Sequence, residues 1–255
     1  LTKKITCCIL AAGFGSRMGK VGENLNKSLI SINQKSAITR IIENFPKKTN
    51  FVIATGYKDD QVKKFLKISH PKSDIKFVKV KDYSSPLSGP GLSLLKCRSY
   101  LRKPFFFVSC DTLFKKKIIK PNIKYNFLGV GFKNSGFKDY CNFEVNSKKI
   151  INIYNKIKPK KRFFNFSGFG FIYDHKKFWD FKSLYPKRKG FEISTLLKPF
   201  IKKSNVRILK MFWEDIGTEQ KLSMVKKKYE KFDFSKPDEQ IYIENRKVIK
   251  FHSSF

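Results

Sequence analysis

The sequence predicts an α/β fold: a mixed, mainly parallel sheet with flanking helices, plus a small antiparallel layer. Three observations carry this expectation. Apolar runs of strand length alternate with amphipathic helical stretches through the first half, the pattern of βαβ units. From residue 125 the rhythm changes to closely spaced strands, as antiparallel pairing requires. The 255 residues are 41% hydrophobic and include 27 Phe, enough to bury a full core without disulfides and too apolar for a disordered chain.

Taken in order, strands are expected at 5–10, 51–54, 75–80 and 105–108, with helices at 37–45, 59–66 and 92–101 between them. Asp59 would cap the second of these helices. Four strands follow at 127–132, 142–145, 150–154 and 166–173, with a hairpin turn at 147–149. Helices return at 191–202 and 218–232 around a strand at 206–209, and no internal repeat is visible. The last stretch reads as two strands, 241–244 and 247–251, joined at Asn245 and Arg246. The expected organisation is one domain over 1–232 and a hairpin extension over 233–255, the start of a further domain if the chain is a piece of a longer protein.

Fifty-five Lys plus Arg against 20 Asp plus Glu give a formal charge of +35, which raises polyanion binding as a function class. The excess is spread evenly along the chain, as a solvated surface would have it, so no specific nucleic-acid partner is expected. Cys7, Cys8, Cys97, Cys110 and Cys141 form no CxxC pair and lie mostly in apolar runs; they read as free thiols in a reducing compartment, which points to the cytoplasm. No apolar stretch is long enough to span a membrane. His70, His175 and His252 fall outside every motif.

Four segments carry chemistry. LAAGFGSRMG (10–19) follows the first strand; Gly13 and Gly15 free the backbone to turn its N–H groups toward an anion, and Arg17 adds a positive fork. It fits neither the dinucleotide fingerprint, since Gly19 comes one residue late, nor a P-loop, and an ordinary Gly-rich turn is the alternative. Lys27, in Asn26-Lys27-Ser28-Leu29, could reach the same phosphates. FFFVSCD (105–111) is a buried strand ending in Asp111, where open α/β sheets place ligands; the choice there is between a Mg²⁺ ligand and a cap for the next turn. FWEDIGT (212–218) offers Asp215 as a second metal ligand and Thr218 as a helix cap.

Together and in this order, these segments resemble the nucleotidyltransferases of Rossmann-like, GT-A-like fold that make activated sugars and related headgroups. LAAGFGSRMG and NKSL resemble the family's signature loop and lysine, SGPGLSLL (88–95) its base-binding glycine segment, and SCD (109–111) and WEDIGT (213–218) its two metal motifs. The stretch 152–174 resembles the Glu-Lys-Pro region and acceptor strand, and Gly190-Phe191-Glu192-Ile193-Ser194 the acceptor turn. Departures are Asn26 for the usual Pro and Asn155 for the usual Glu ahead of Lys156.

The resemblance implies Mg²⁺-dependent transfer of NMP from an NTP to a sugar 1-phosphate by in-line attack, with release of pyrophosphate. Arg17 and Lys27 would be catalytic, and Leu10, Ala11, Ala12, Gly13, Gly15, Ser16, Arg17, Gly89 and Gly91 would bind nucleotide. Lys156, Gly170 and Glu192 would bind the acceptor, while Asp111 and Asp215 would hold the metal. For Glu192 the alternative is a helix N-terminal Glu favoured by the dipole. Phe166, Phe169, Phe171 and Tyr173 alternate as strand core rather than as a choline cage. A CTP-dependent cytidylyltransferase acting on phosphocholine or another small phosphorylated headgroup is the close variant, to which the IYIENRKVIKF hairpin, faintly like the opening of a phosphotransferase domain, lends a fused or partner domain. The alternative of another class is a polyanion-binding non-enzyme, recognised by steep salt dependence and indifference to NTP. The sequence is compatible with an oligomer.

Overall fold

A computed structural model describes residues 4–114, 119, 122–132, 136–180 and 190–229, together with the backbone of 239–244 and 247–253. The first half runs β1 (Thr6–Ala11), α1 (Gly19–Asn24), a short ladder of β2 (Ser31–Ile32) and β3 (Lys35–Ser36), α2 (Ala37–Glu43), β4 (Asn50–Thr55), α3 (Asp59–Ser69), β5 (Asp74–Lys79), α4 (Pro90–Lys96) and β6 (Phe105–Ser109). The second half adds β7 (Thr112–Phe114), β8 (Asn126–Val130), β9 (Cys141–Asn146), β10 (Lys149–Asn155), β11 (Phe163–Ile172), α5 (His175–Phe178), α6 (Ile193–Lys203), β12 (Val206–Lys210), β13 (Trp213–Asp215) and α7 (Glu219–Lys228). The terminal hairpin is β14 (Glu239–Glu244) with β15 (Lys247–Ser253); its expected turn, and the end of the helix expected to reach residue 232, lie outside the described residues.

Nine strands form one sheet in the order β5-β4-β1-β6-β11-β8-β12-β10-β9. Strands β5, β4, β1 and β6 are mutually parallel, whereas β11 runs antiparallel to β6, β8 and β9. The antiparallel strands thus extend the same sheet instead of forming a separate layer. The chain leaves β1 toward β4 and β5, then crosses to β6 on the other side. That reversal opens a crevice at the carboxyl ends of β1 and β6, the usual place for a ligand in an open α/β sheet.

Alternation along β1 explains the two cores. Cys7, Ile9 and Ala11 face one side with α2, α3 and α7; Cys8, Leu10 and Ala12 face the other with α4, α5 and α6. Burial of the apolar stripes on both sides is what holds the helices to the sheet. Phe106 is central to the first side, its ring 4.4 Å from Phe171, 5.5 Å from Phe45 and 5.9 Å from Phe169. Phe166, Phe169 and Phe171 are buried as expected, while Tyr173 is exposed. The five cysteines are free, and burial pushes the Cys110 and Cys141 thiols up to about 12, which keeps them neutral. Among the described residues no helix is long and apolar enough to cross a membrane.

Two local expectations differ. Asp59 is the first residue of α3 and not its cap; Lys58 holds the cap position with φ 50°, and the Asp59 carboxylate instead pairs with Lys63 at 2.7 Å and Lys79 at 3.4 Å. The predicted helix over 92–101 begins earlier, at Pro90, and ends in a 3₁₀ turn at Arg98–Tyr100. Proline at the first turn costs no hydrogen bond, which is why the helix starts there. Thr218 does cap α7, accepting from the Lys221 N–H at 3.2 Å.

Two predictions test this packing. Phe106→Ala should lower stability by about 3–5 kcal/mol, read from urea unfolding. His70 is partly buried, with Nε2 3.0 Å from the Thr39 hydroxyl, and burial holds its pKa below the ordinary histidine value against the pull of Glu43. A depressed pKa means the unfolded chain takes up the proton first, so stability is intact above about pH 6.5 and is lost as pH falls through the folded-state value. His70→Asn should therefore flatten the fall in Tm between about pH 7 and 5 relative to wild type.

Candidate active site

The turn after β1 is shaped by its glycines. Gly15 adopts φ 72°, and the Met18 N–H closes a 3₁₀ turn onto its carbonyl at 2.9 Å. The turn is pinned from behind: the Tyr57 N–H donates to the Ala12 carbonyl at 3.0 Å, and a Cβ on Gly56 would stand 2.6 Å from that same oxygen. Arg17, on the exposed side of the turn, reaches the floor of the crevice.

Asn26 explains how Lys27 is delivered. It is buried, its Nδ2 donates to the carbonyls of Ala11 (3.2 Å) and Tyr57 (2.6 Å), and its Oδ1 accepts from the Ser28 N–H (3.0 Å) and hydroxyl (2.8 Å). The 3₁₀ turn Lys27–Leu29 is thereby capped and tied to the end of β1. A proline could supply none of these donors. The bonding capacity of Asn is a signal that the sequence offered, but only the fold shows which carbonyls it meets.

Asp111 and Asp215 are distant in the chain and meet through backbone pairing. β13 pairs antiparallel with β7, setting Asp215 opposite Thr112, and the Ile216 N–H donates to the Asp111 carbonyl at 3.1 Å. Beside them lies Gly217. The point where its Cβ would stand is 2.8 Å from Asp215 Oδ1, 3.1 Å from Asp111 Oδ2 and 3.7 Å from Arg17 Nη2, so two carboxylates and a guanidinium share one small space. Gly168, with φ 83°, opens the neighbouring wall: a Cβ there would stand 2.7 Å from the Thr112 hydroxyl and 2.8 Å from that of Ser109. Neither Gly168 nor Gly217 stood out in the sequence as a site residue, because a close approach is a property of the fold.

Each carboxylate is held by a lysine. Lys27 Nζ lies 2.7 Å from Asp111 Oδ2 with both side chains largely buried. Burial works against either charge, but the mutual attraction and hydrogen bond outweigh it, so Lys27 is held above and Asp111 below its ordinary value. Lys221 Nζ donates to Asp215 Oδ2 and to the Tyr140 hydroxyl, both at 2.9 Å. Burial pushes the Tyr140 phenol up, reinforced by Asp215.

Lys27, Tyr140 and the two carboxylates line a cleft of about 410 Å³. It brings together Leu10, Ala12, Gly13, Gly15, Ser16, Arg17, Lys27, Gly89, Asp111, Lys156, Glu192 and Asp215. Three expected site residues stand outside its lining. Ala11 faces the core. Gly91 is spent on packing: its N–H donates to the Phe191 carbonyl at 2.9 Å, and a Cβ would lie 2.5 Å from the Glu192 carbonyl oxygen. Gly170 sits inside β11, where a Cβ would meet Leu128 at 2.6 Å and Phe107 at 2.8 Å, so its role is close packing and not acceptor contact. Gly89 shares that constraint against Phe191 yet remains at the cleft. The far wall adds Tyr140 and Trp213, whose rings meet edge to face at 5.6 Å, with Asp139 and Cys141 beside them.

The donor set fits one hard divalent cation. Mg²⁺ takes one or two carboxylates and completes its shell with phosphate oxygens and water, and two converging carboxylates are what the site offers. Among the described residues no group of three or more His, Cys, Asp or Glu could form an all-protein cage.

Parts of the sequence and the fold are shared with known proteins. Residues 7–123 match the family model described as the MobA-like NTP transferase domain. The bifunctional protein GlmU of Methanococcus aeolicus is 26% identical over 223 residues, covering 82% of this chain and 50% of that protein. The chain therefore spans about half the length of the curated relatives it matches. Among solved structures, a Bacillus anthracis protein provisionally assigned as a glucose-1-phosphate thymidylyltransferase shares the fold with a TM-score of 0.76 at 21% identity, over 91% of this chain and 98% of that one. CTP:phosphocholine cytidylyltransferase from Streptococcus pneumoniae does so with a TM-score of 0.71 at 20% identity, over 88% and 98%. Residues 7–123, just under half of the chain, are thus similar to the MobA-like NTP transferase domain, and this stretch carries the glycine turn, Lys27 and Asp111.

Proposed function

We propose that this protein transfers a nucleoside monophosphate from an NTP to the phosphate of a sugar 1-phosphate, releasing pyrophosphate. The observation that carries the reading is the convergence of Asp111 and Asp215 beside Arg17 and the glycine turn. An acceptor phosphate oxygen would attack the α-phosphorus in line, and the bond to the bridging oxygen would break with its electron pair leaving on pyrophosphate. The protein's task is to position two polyanions and spread their charge.

In this reading the Gly13 to Ser16 backbone and Arg17 hold the β- and γ-phosphates. Asp111 and Asp215 hold Mg²⁺, which when bound supplies positive charge against the phosphates. Lys27, paired with Asp111, would neutralise charge at the attack side, and Lys156 and Glu192 would line the acceptor end. Residues 1–232 would form the catalytic unit and 233–255 an extension, whose two strands, among the described residues, pair with each other and lie against α3.

One observation favours a second acceptor class. The acceptor wall combines the Tyr140 and Trp213 rings with Asp139 and Glu192, an acidic and aromatic surface in a chain of charge +35 that suits a cationic headgroup such as phosphocholine, with CTP as donor. A pyrophosphate-release screen crossing the common NTPs with sugar 1-phosphates and phosphocholine decides between them; release with no pair above background would overturn both.

Four substitutions follow. Asp111→Asn and Asp215→Asn should each abolish Mg²⁺-dependent turnover with the far-ultraviolet circular dichroism unchanged. Gly217→Ala places a methyl between the two carboxylates and should weaken Mn²⁺ binding, measured by paramagnetic resonance, with little change in Tm. Arg17→Ala should lower kcat/KM by an amount equivalent to about 2–4 kcal/mol, as loss of one preorganised donor does.

A further inference from the structure

We infer that Lys221 is a positioning residue that keeps Asp215 turned toward Asp111, an inference that rests on the metal-dependent reading above. The Asp215 carboxylate has two distinct ends. Oδ1 accepts the Gly217 N–H at 2.7 Å and is the oxygen that faces Asp111 across the Gly217 space. Oδ2 accepts from Lys221 Nζ at 2.9 Å and from the Tyr140 hydroxyl at 3.1 Å. Lys221 therefore holds one oxygen and leaves the other to the site.

The lysine is itself well fixed. Its backbone N–H is the one that Thr218 caps, its ammonium donates to the Tyr140 hydroxyl and sits 4.4 Å from that ring's centroid, and Asp139 Oδ2 lies 3.5 Å away. With three anchors around the ammonium, the tether has little freedom to drift. Nearby, Lys228 is engaged with Glu214 at 3.2 Å and does not duplicate the contact.

A tether is needed because Asp215 borders open space on both sides. Beyond it from the cleft lies a second cavity of about 490 Å³, with Met211, Phe212 and Met224 in its walls. Freed of Lys221, the carboxylate could rotate into that space and withdraw Oδ1 from Asp111. Groups that orient metal-binding side chains in this manner typically contribute about 10- to 100-fold in metal affinity.

Mn²⁺ binding to the full chain without acceptor, followed by paramagnetic resonance, tests the inference, with Tm recorded in parallel. Lys221→Met should bind Mn²⁺ about 10-fold more weakly at an unchanged Tm. Lys221→Arg should restore most of the affinity, and Lys228→Met should leave it as in wild type. Lys221→Gln, which keeps a donor of similar reach, decides the matter if the Met variant does not fold, and should fall between wild type and Met. Unchanged or tighter Mn²⁺ binding in the Lys221 variants would show the ammonium to be only a charge partner or a competitor of the ion, and would overturn the inference alone. Absence of Mn²⁺ binding in wild type would overturn the metal reading, and the inference with it.

Discussion

Two carboxylates brought into one partly buried space repel each other, and this constraint organises the site. Asp111 and Asp215 are not there by side-chain choice; the short β7–β13 ladder and the Ile216 to Asp111 hydrogen bond put them there. The fold answers the repulsion with one ammonium apiece, Lys27 on one side and Lys221 on the other. A like-charge pair of this kind costs stability unless it is compensated.

The compensation also separates two tasks. Lys27 is supplied by the first half of the chain, through the buried Asn26 that locks its turn to β1 and α3. Lys221 comes from the last helix described, whose cap at Thr218 directly follows the Gly217 space. The surface excess of lysine, spread over the molecule, says little by itself. The two lysines that matter are those drawn inward.

Much of this was legible in the sequence. The parallel half followed from alternating apolar runs, and Asp111 was marked by its position at the end of a buried strand. What stayed hidden has physical reasons. Gly91 and Gly170 look like ligand-facing glycines, yet each is required by a neighbour's close approach, which spacing cannot reveal. Asp59 looks like a cap because acidic residues favour helix starts, but the left-handed Lys58 moves the helix boundary by one residue and frees the carboxylate for Lys63 and Lys79. Gly168 and Gly217 gave no signal, since open space is made by several chain segments at once. Lys221 was hidden among many lysines; only its three anchors distinguish it.

The seam between β6 and β11 carries a further consequence. On one side of it stand the four parallel strands with the glycine turn; on the other, strands that furnish the opposite wall. The join is an ordinary antiparallel ladder between Phe105–Val108 and Phe169–Ile172, and the cysteines are free. Such a join lets the strands on one side of the cleft differ in shape and charge while the glycine turn on the other keeps its geometry.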